Sequence, residues 1–325
     1  MKFTLSAALA ALVATAAFGQ VDLNRTVAVV NGEEIKGGEY YHRMEYLPGV
    51  GKRMGSAYSE LPPGFLTIEQ LITDHLVLQL AKEKGVLPTD MEVEAEYRVR
   101  KDDTPNLDTL WTATGQSLDD LRYQIRLDVA KFKIQTFGIT ITNQEIDTFY
   151  KEHPTEFTIP KRYQLRVIVV GTAADRDAVD KALAAGTKFP DVASQYSMDV
   201  SKTGGGEYGT VPETALAATF KNAVDATKIG ATTSWITSAP QGGGDPSYIK
   251  FLVEDVKKQE LIPLDDKIRR QTRRRLMMDR GAVKNNIEQE MKAMRLKAKI
   301  DIKQPEFRDA YKKFIDAYLK EGGKS

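Results

Sequence analysis

The sequence predicts an α+β protein in which helix-rich segments flank an α/β module. Three observations carry that reading. The run KRYQLRVIVV at 161–170 is apolar on both faces, with Val167 and Val169 alternating with Ile168 and Val170, as a buried central strand requires. A second β-rich run, SYIKFLVEDV at 247–256, closes the same stretch. Ahead of it, several helix starts are announced by Ser or Thr three residues before Gln, Glu or Asp.

Between the two β-rich runs, apolar residues return at helical spacing at Phe189, Val192, Ala193 and Tyr196, and again at Leu216, Phe220 and Ala223. The expected order is a strand, two helices, a glycine-rich crossing, a third helix and a returning strand pair. Gly204, Gly205 and Gly206 lack the Lys-Ser/Thr ending of a phosphate-binding loop and do not directly follow a buried strand. They fit a tight crossing where close-packed elements leave no room for side chains. A second run, Gly242 to Gly244, is expected at a hairpin tip before the last strand.

Residues 161–256 resemble a parvulin-type (PpiC-type) peptidyl-prolyl cis-trans isomerase domain. The most specific part is YSMDVSKTGGGEYG, followed by Leu216, Phe220 and Gly230. The resemblance implies an FKBP-like α/β domain at 159–257 that binds proline in an apolar pocket without cofactor or metal. It places Asp199 at the family's Asp/Cys position, Tyr208 at the corner Leu, Leu216 at the pocket Met and Phe220 at the pocket Phe. The family also carries a histidine on its first strand, where this chain has Arg166, and one on its last strand, where it has Ile249 (Tyr248 if the register slips by one). Ala217 stands where a glutamine often follows the pocket Met. The implied catalytic residues are Asp199 and Arg166, and the implied substrate-binding residues are Tyr208, Leu216, Phe220 and Ile249. With both histidines replaced, the isomerase activity expected is weak.

Length and charge narrow the rest. A chain of 325 residues is too long for one typical domain. With 46 Lys and Arg against 45 Asp and Glu, bulk electrostatics give no reason to expect a nucleic-acid partner. The absence of cysteine removes disulfides and thiol nucleophiles. His42, His75 and His153 are scattered, so neither a metal site nor a Ser–His–Asp constellation around Ser197 is expected. His75 falls on an apolar helix face and reads as a hydrogen-bonded core residue. The first residues, MKFTLSAALAALVATAAFGQ, have a basic start, a short apolar core and small residues at Ala17 and Gly19. They are expected to form a signal peptide, 1–19, leaving a periplasmic or secreted soluble protein with no stable membrane insertion.

Residues 20–158 are expected to form the N-terminal helical domain. It opens on a β-rich run, Thr26 to Val30, with the hairpin signal Asn31-Gly32. Helix starts are expected at Thr67-x-x-Gln70, Thr89-x-x-Glu92, Ser117-x-x-Asp120 and Thr142-x-x-Glu145, and a surface loop from Pro48 to Pro63. Pro154 and Pro160 then hold an extended joint. After Val256 one long charged helix is expected over 264–297, then a short strand in KAKIDI and a last helix opened by Pro305.

The opening strand-turn and this joint resemble the SurA-like chaperones. That resemblance implies that the C-terminal segment, 258–325, docks on the N-terminal domain, with KAKIDI pairing with TVAVV. Physical chemistry favours the same arrangement, because neither a lone amphipathic helix nor a lone hairpin buries enough surface to stand by itself. Charge agrees, since the N-terminal lobe is acid-rich and the C-terminal segment is rich in Lys and Arg. The cluster Arg269, Arg270, Arg273, Arg274 and Arg275 leaves three readings open: a solvated face, a dock for the acidic lobe, or contact with anionic headgroups. The partners implied are unfolded or proline-containing envelope polypeptides. Two functions follow, a folding factor with weak isomerase activity, or a holdase or scaffold that uses the same fold only to bind peptides.

Overall fold

The computed structural model describes residues 22–46, 53–54, 57–58, 62–238 and 246–320. The expected signal peptide, the glycine run at 242–244 and most of the expected loop at 48–63 lie outside them. In chain order the elements are β1 (Thr26–Val30), β2 (Glu33–Lys36), α1 (Gly37–Glu45), β3 (Arg53–Met54), β4 (Ala57–Tyr58), α2 (Pro63–Glu83), α3 (Asp90–Asp103), α4 (Leu107–Thr112), α5 (Leu118–Gln135) and α6 (Asn143–Glu152). Then follow β5 (Thr158–Ile159), β6 (Arg162–Val170), α7 (Ala173–Ala184), α8 (Phe189–Tyr196), β7 (Glu207–Pro212), α9 (Ala218–Asp225), β8 (Ile236–Ser238) and β9 (Ser247–Lys257). The chain ends with β10 (Glu260–Leu261), α10 (Asp266–Lys284), α11 (Ile287–Lys297), β11 (Ile300–Ile302) and α12 (Pro305–Lys320).

These elements form two compact units. The helical unit comprises the residues up to Ile141 together with those from Arg274 onward, and the α/β unit is Thr142–Arg273. The α/β unit is thus longer at both ends than the 159–257 expected. β5 pairs with β10, the Tyr150 hydroxyl donates to the Ile262 carbonyl at 2.7 Å, and Arg269 pairs with Asp147 at 2.8 Å. Those contacts tie the joint helix α6 and the first turns of α10 to the α/β module.

In the helical unit, β1 is the middle strand of a three-stranded antiparallel sheet, flanked by β2 and β11. Asn31 and Gly32 both have positive φ, 51° and 87°, which is the backbone a two-residue hairpin turn requires. The C-terminal strand returns with Ala28 opposite Ile302 and Val30 opposite Ile300. The central helix α2 buries Ile68, Leu71, Ile72, Leu76 and Val77 among Val27, Val30 and Ile35 of the sheet, Leu127 and Ile134 of α5 and Met294 of α11. Thr89, Ser117 and Thr142 each complete a reciprocal capping box with Glu92, Asp120 and Glu145. Thr67 does not. Pro63, pre-set for the first helical position, starts α2 one turn earlier, and the Thr67 hydroxyl donates back to the Pro63 carbonyl at 2.8 Å.

The single helix expected over 264–297 is broken into α10 and α11. The Asn285 side chain leaves the helix to donate to the carbonyls of Gln135 and Phe137, and Asn286 caps α11 by accepting from the Gln289 amide at 3.0 Å. The break lets α11 lie against α2. There Lys84 pairs with Glu290, and the buried Arg295 reaches Glu69 and Thr73. Arg274 pairs with Glu96 at 3.1 Å and stacks on Phe132. At this arginine, docking on the acidic lobe is the reading that matches.

In the α/β unit the sheet order is β7-β6-β9-β8, all antiparallel. The long strand β6 is apolar on both faces because both are covered. Tyr163, Leu165 and Val167 face a core shared with α9, while Ile168 and Val170 face α7 and α8 through Val179, Phe189, Val192 and Ala193. Strand β9 divides the same way, with Ile249, Phe251 and Val253 toward α9 and Tyr248 and Leu252 toward α7 and α8.

Candidate functional site

The side of the sheet that faces α9 carries three aromatic rings in a row. Phe251 of β9 is 2 % exposed and lies in the middle. Phe220 of α9 meets it edge-on, with centroids 5.6 Å apart and planes at 67°. Tyr208 of β7 also meets it edge-on, at 5.7 Å and 71°. Tyr208 is 46 % exposed and Phe220 is partly buried, so the row grades from core to solvent. Leu216, Val211, Val169 and Ile249 pack around it. Four of the six residues expected from the sequence, Tyr208, Leu216, Phe220 and Ile249, therefore come together here. Leu216 precedes α9 in extended backbone and does not continue its helical spacing.

Arg166 is not among them. In a β-strand consecutive side chains point to opposite faces, so a shift of one residue changes the layer a side chain enters. Val167 occupies the α9 face, and Arg166 lies in the layer of α8. Its Nη1 donates to the carbonyls of Gly204 and Gly205 at 2.9 and 3.1 Å, and its Nε to Glu254 at 2.5 Å. The first-strand position that faces the aromatic row is therefore Val167, one residue on from the expected Arg166.

Asp199 sits at the start of a 3-10 turn, Val200–Gly204, and caps it. Its Oδ1 accepts from the Ser201 amide at 2.9 Å and from the Ser201 hydroxyl at 2.5 Å. Arg166 holds the carbonyl end of the same turn, so the two residues expected to be catalytic brace one loop from its two ends. Ser197, 4 % exposed, ties the loop to β6 by accepting from the amides of Val169 and Asp199. The crossing is as tight as the glycines suggested. Gly206 has φ +76°, and a Cβ there would lie 2.4 Å from the Val167 carbonyl oxygen and 2.9 Å from the Ala193 Cβ. The braced loop presents Met198 and Val200 to solvent.

Asp225 fixes the far end of α9. It accepts from the Tyr163 hydroxyl at 2.7 Å and pairs with Lys221 at 2.7 Å and with Lys161. The bonds from Lys161, Lys221 and Tyr163 hold its carboxyl well below the usual carboxylate range. Burial, and then the bond to Asp225, pushes the Tyr163 hydroxyl up to about 12. The cluster locks the helix carrying Phe220 to the start of β6. Sequence reading missed both Phe251 and Asp225. Phe251 shares the parity of Ile249 in SYIKFLV and was legible from it, whereas Asp225 gains its partners only through the fold.

Chemically, the row offers an apolar surface for a ring or an aliphatic side chain, with the Tyr208 hydroxyl at its exposed rim. Among the described residues there is no cluster of three or more metal-ligating side chains.

Residues 141–269 match the PPIC-type PPIASE domain family. The foldase protein PrsA of Clostridium kluyveri is 28 % identical over 267 residues, covering 72 % of this chain and 76 % of that protein. PrsA of Caldanaerobacter subterraneus is 26 % identical over 220 residues, covering 63 % and 67 %. A solved structure from a study of PEB4 and Cj1289, two structurally related SurA-like chaperones of Campylobacter jejuni, aligns with 86 % of this chain and 100 % of its own at 21 % identity and a TM-score of 0.40.

Proposed function

From the premise that residues 141–269 are a PpiC/parvulin-type peptidyl-prolyl isomerase domain homologous to those of PrsA and SurA-like foldases, we propose that this chain is an exported folding factor. It binds unfolded envelope polypeptides and catalyses prolyl isomerisation weakly. The observation that supports this most directly is the row Tyr208–Phe251–Phe220, with its graded exposure beside Leu216 and Ile249. The signal-peptide reading of residues 1–19 supports export.

Prolyl isomerisation faces a barrier of about 18–20 kcal/mol, set by amide resonance, and it needs no nucleophile. A surface that binds the proline ring and strips water from the amide favours the twisted, less conjugated bond over the planar one. Phe220, Leu216 and Ile249 supply the apolar contact, and Phe251 backs them. Tyr208 closes the exposed side and offers its hydroxyl as a donor to the substrate carbonyl. Asp199 and Arg166 act one step removed, by holding the loop that leads into β7. A protease-coupled assay on an Ala-Pro-Phe-type peptide tests the reading. A rate above background that drops at least fivefold in Phe220→Ala supports it, and no rate above background at any enzyme concentration removes the enzymatic part.

The second reading, a holdase without isomerase activity, has its own observation. The β6 and β9 side chains packed beside the row include Val167, Val169 and Ile249, all aliphatic, and the Tyr163 hydroxyl on the same face of β6 is taken up by Asp225. Suppression of aggregation of an unfolded outer-membrane protein, with no catalysis of isomerisation, selects this reading.

A further inference from the structure

Helix α1 of the helical unit is held down by protonatable contacts on both sides. From α2, His75 reaches Glu33 of β2 with Nδ1 at 3.2 Å and Glu39 of α1 with Nε2 at 3.6 Å. From α1, His42 places Nε2 2.7 Å from Oδ1 of Asp120 on α5. Beside them Asp74 of α2 is buried, its Oδ2 3.6 Å from Nη1 of Arg43 on α1. That oxygen has no hydrogen-bond partner among the described residues. Arg43 also lies over the Tyr123 ring of α5 at 5.0 Å. We propose that α1 is a proton-operated clasp, which closes on α2 and α5 in mild acid and loosens as the pH rises through neutrality.

Every element packed on the cluster contributes charge, and the contributions have to be added. β2 brings Glu33, α1 brings Glu39, His42 and Arg43, α2 brings Asp74, His75 and Lys82, and α5 brings Asp120, Tyr123 and Lys131. Protonating His75 converts its hydrogen bond to a carboxylate into an ion pair. The bond to Glu39, with that to Glu33 and against burial, holds His75 above its ordinary value. Its stabilisation is therefore complete below the unfolded value of about 6.5 and is lost as the pH rises through the folded value. Burial pushes the Asp74 carboxyl up to about 6, against the attraction of Arg43. A carboxyl raised in this way destabilises the fold when ionised, so protonating it also tightens the interface. The histidine and the aspartate, opposite in kind, act in the same direction. Loosening α1 uncovers Tyr40, which is buried against Gly64 of α2.

Hydrogen exchange of the full chain, corrected for intrinsic rates and compared at about pH 5.5 and about pH 8, tests the clasp. Peptides from 37–45 are expected to lose roughly tenfold protection at the higher pH, while peptides from 143–152 in α6 serve as the control. Asp74→Asn is expected to raise the protection of α1 at about pH 8, and His75→Gln to lower it at about pH 5.5, each shrinking the difference between the two pH values. Should His75→Gln fail to fold, Glu39→Gln removes the same pair from the exposed side. Equal protection of α1 at both pH values in the native chain, or an unchanged pH dependence in both variants, overturns the proposal.

Discussion

Arg295 on α11 grips Glu69 on α2 with both ends of its guanidinium, Nη2 to Oε1 at 2.6 Å and Nη1 to Oε2 at 2.8 Å. Both side chains are largely buried, and Arg295 further donates to the Thr73 hydroxyl at 2.6 Å. The pair joins residues 226 positions apart and is the polar counterpart of the β1–β11 pairing. The basic C-terminal segment thus adds to the Arg274–Glu96 and Glu290–Lys84 pairs one arginine held in a buried, two-pronged geometry.

Arg295→Ala should destabilise the helical unit by about 3–5 kcal/mol, because it leaves Glu69 buried without its cation. The double change Arg295→Met with Glu69→Leu should recover most of that loss, since it removes both desolvation penalties. Urea unfolding of the full chain, followed at the transition of the helical unit, measures both. A single-variant loss below about 1 kcal/mol would place the pair with ordinary surface ion pairs.

Recognition and folding should separate along the aromatic row. Tyr208 is half-exposed, so Tyr208→Ala should change stability by no more than about 0.5 kcal/mol while weakening peptide binding. Phe251→Ala removes the buried middle ring and should cost about 3–5 kcal/mol. Thermal unfolding and fluorescence titration with a labelled aromatic-rich peptide, run on the same samples, decide the matter. Binding by Tyr208→Ala equal to that of the native chain would take the recognition surface away from this row.

Caps offer a smaller and more local check. Thr142 accepts from the Glu145 amide and the Glu145 carboxylate accepts from the Thr142 amide, at 3.2 and 2.7 Å. Thr142→Ala should lower the stability of the α/β unit by about 1 kcal/mol, and Thr67→Ala, whose hydroxyl serves no cap, should not show that loss at a helix start. Denaturation midpoints of the two variants supply the comparison.

What the residues announced and what they concealed divides along the range of the interaction. Capping boxes are complete within four residues, so Thr89, Ser117 and Thr142 were readable, and Thr67 misled only because Pro63 had already started the helix. The layer assignment of β6 required parity alone, yet Arg166 was misplaced by one residue, because a strand apolar on both faces gives no internal mark of which face is which. The break at Asn285 was hidden because its cause, the carbonyls of Gln135 and Phe137, lies about 150 residues earlier in the chain. Tyr208, Leu216, Phe220 and Ile249, which meet beside Phe251, were expected through resemblance, whereas Phe251 itself follows from strand alternation.

The anchor of α9 gives a pH test with a definite sign. Asp225 is held by Lys161, Lys221 and the Tyr163 hydroxyl, which lower its pKa in the folded chain. A depressed carboxyl contributes stability that is full above its unfolded value of about 3.9 and is lost as the pH falls through the folded value. Asp225→Asn should therefore be less stable than the native chain at neutral pH, and the gap should narrow below about pH 4. The same variant keeps a hydrogen-bond acceptor for Tyr163 but removes the charge that Lys161 and Lys221 face, so α9 should loosen without the sheet unfolding. Thermal unfolding of both proteins across that range reads the gap directly. A gap that stays constant from neutral to acid would mean that the carboxylate's charge does not hold the helix, and that shape alone keeps Phe220 against Phe251.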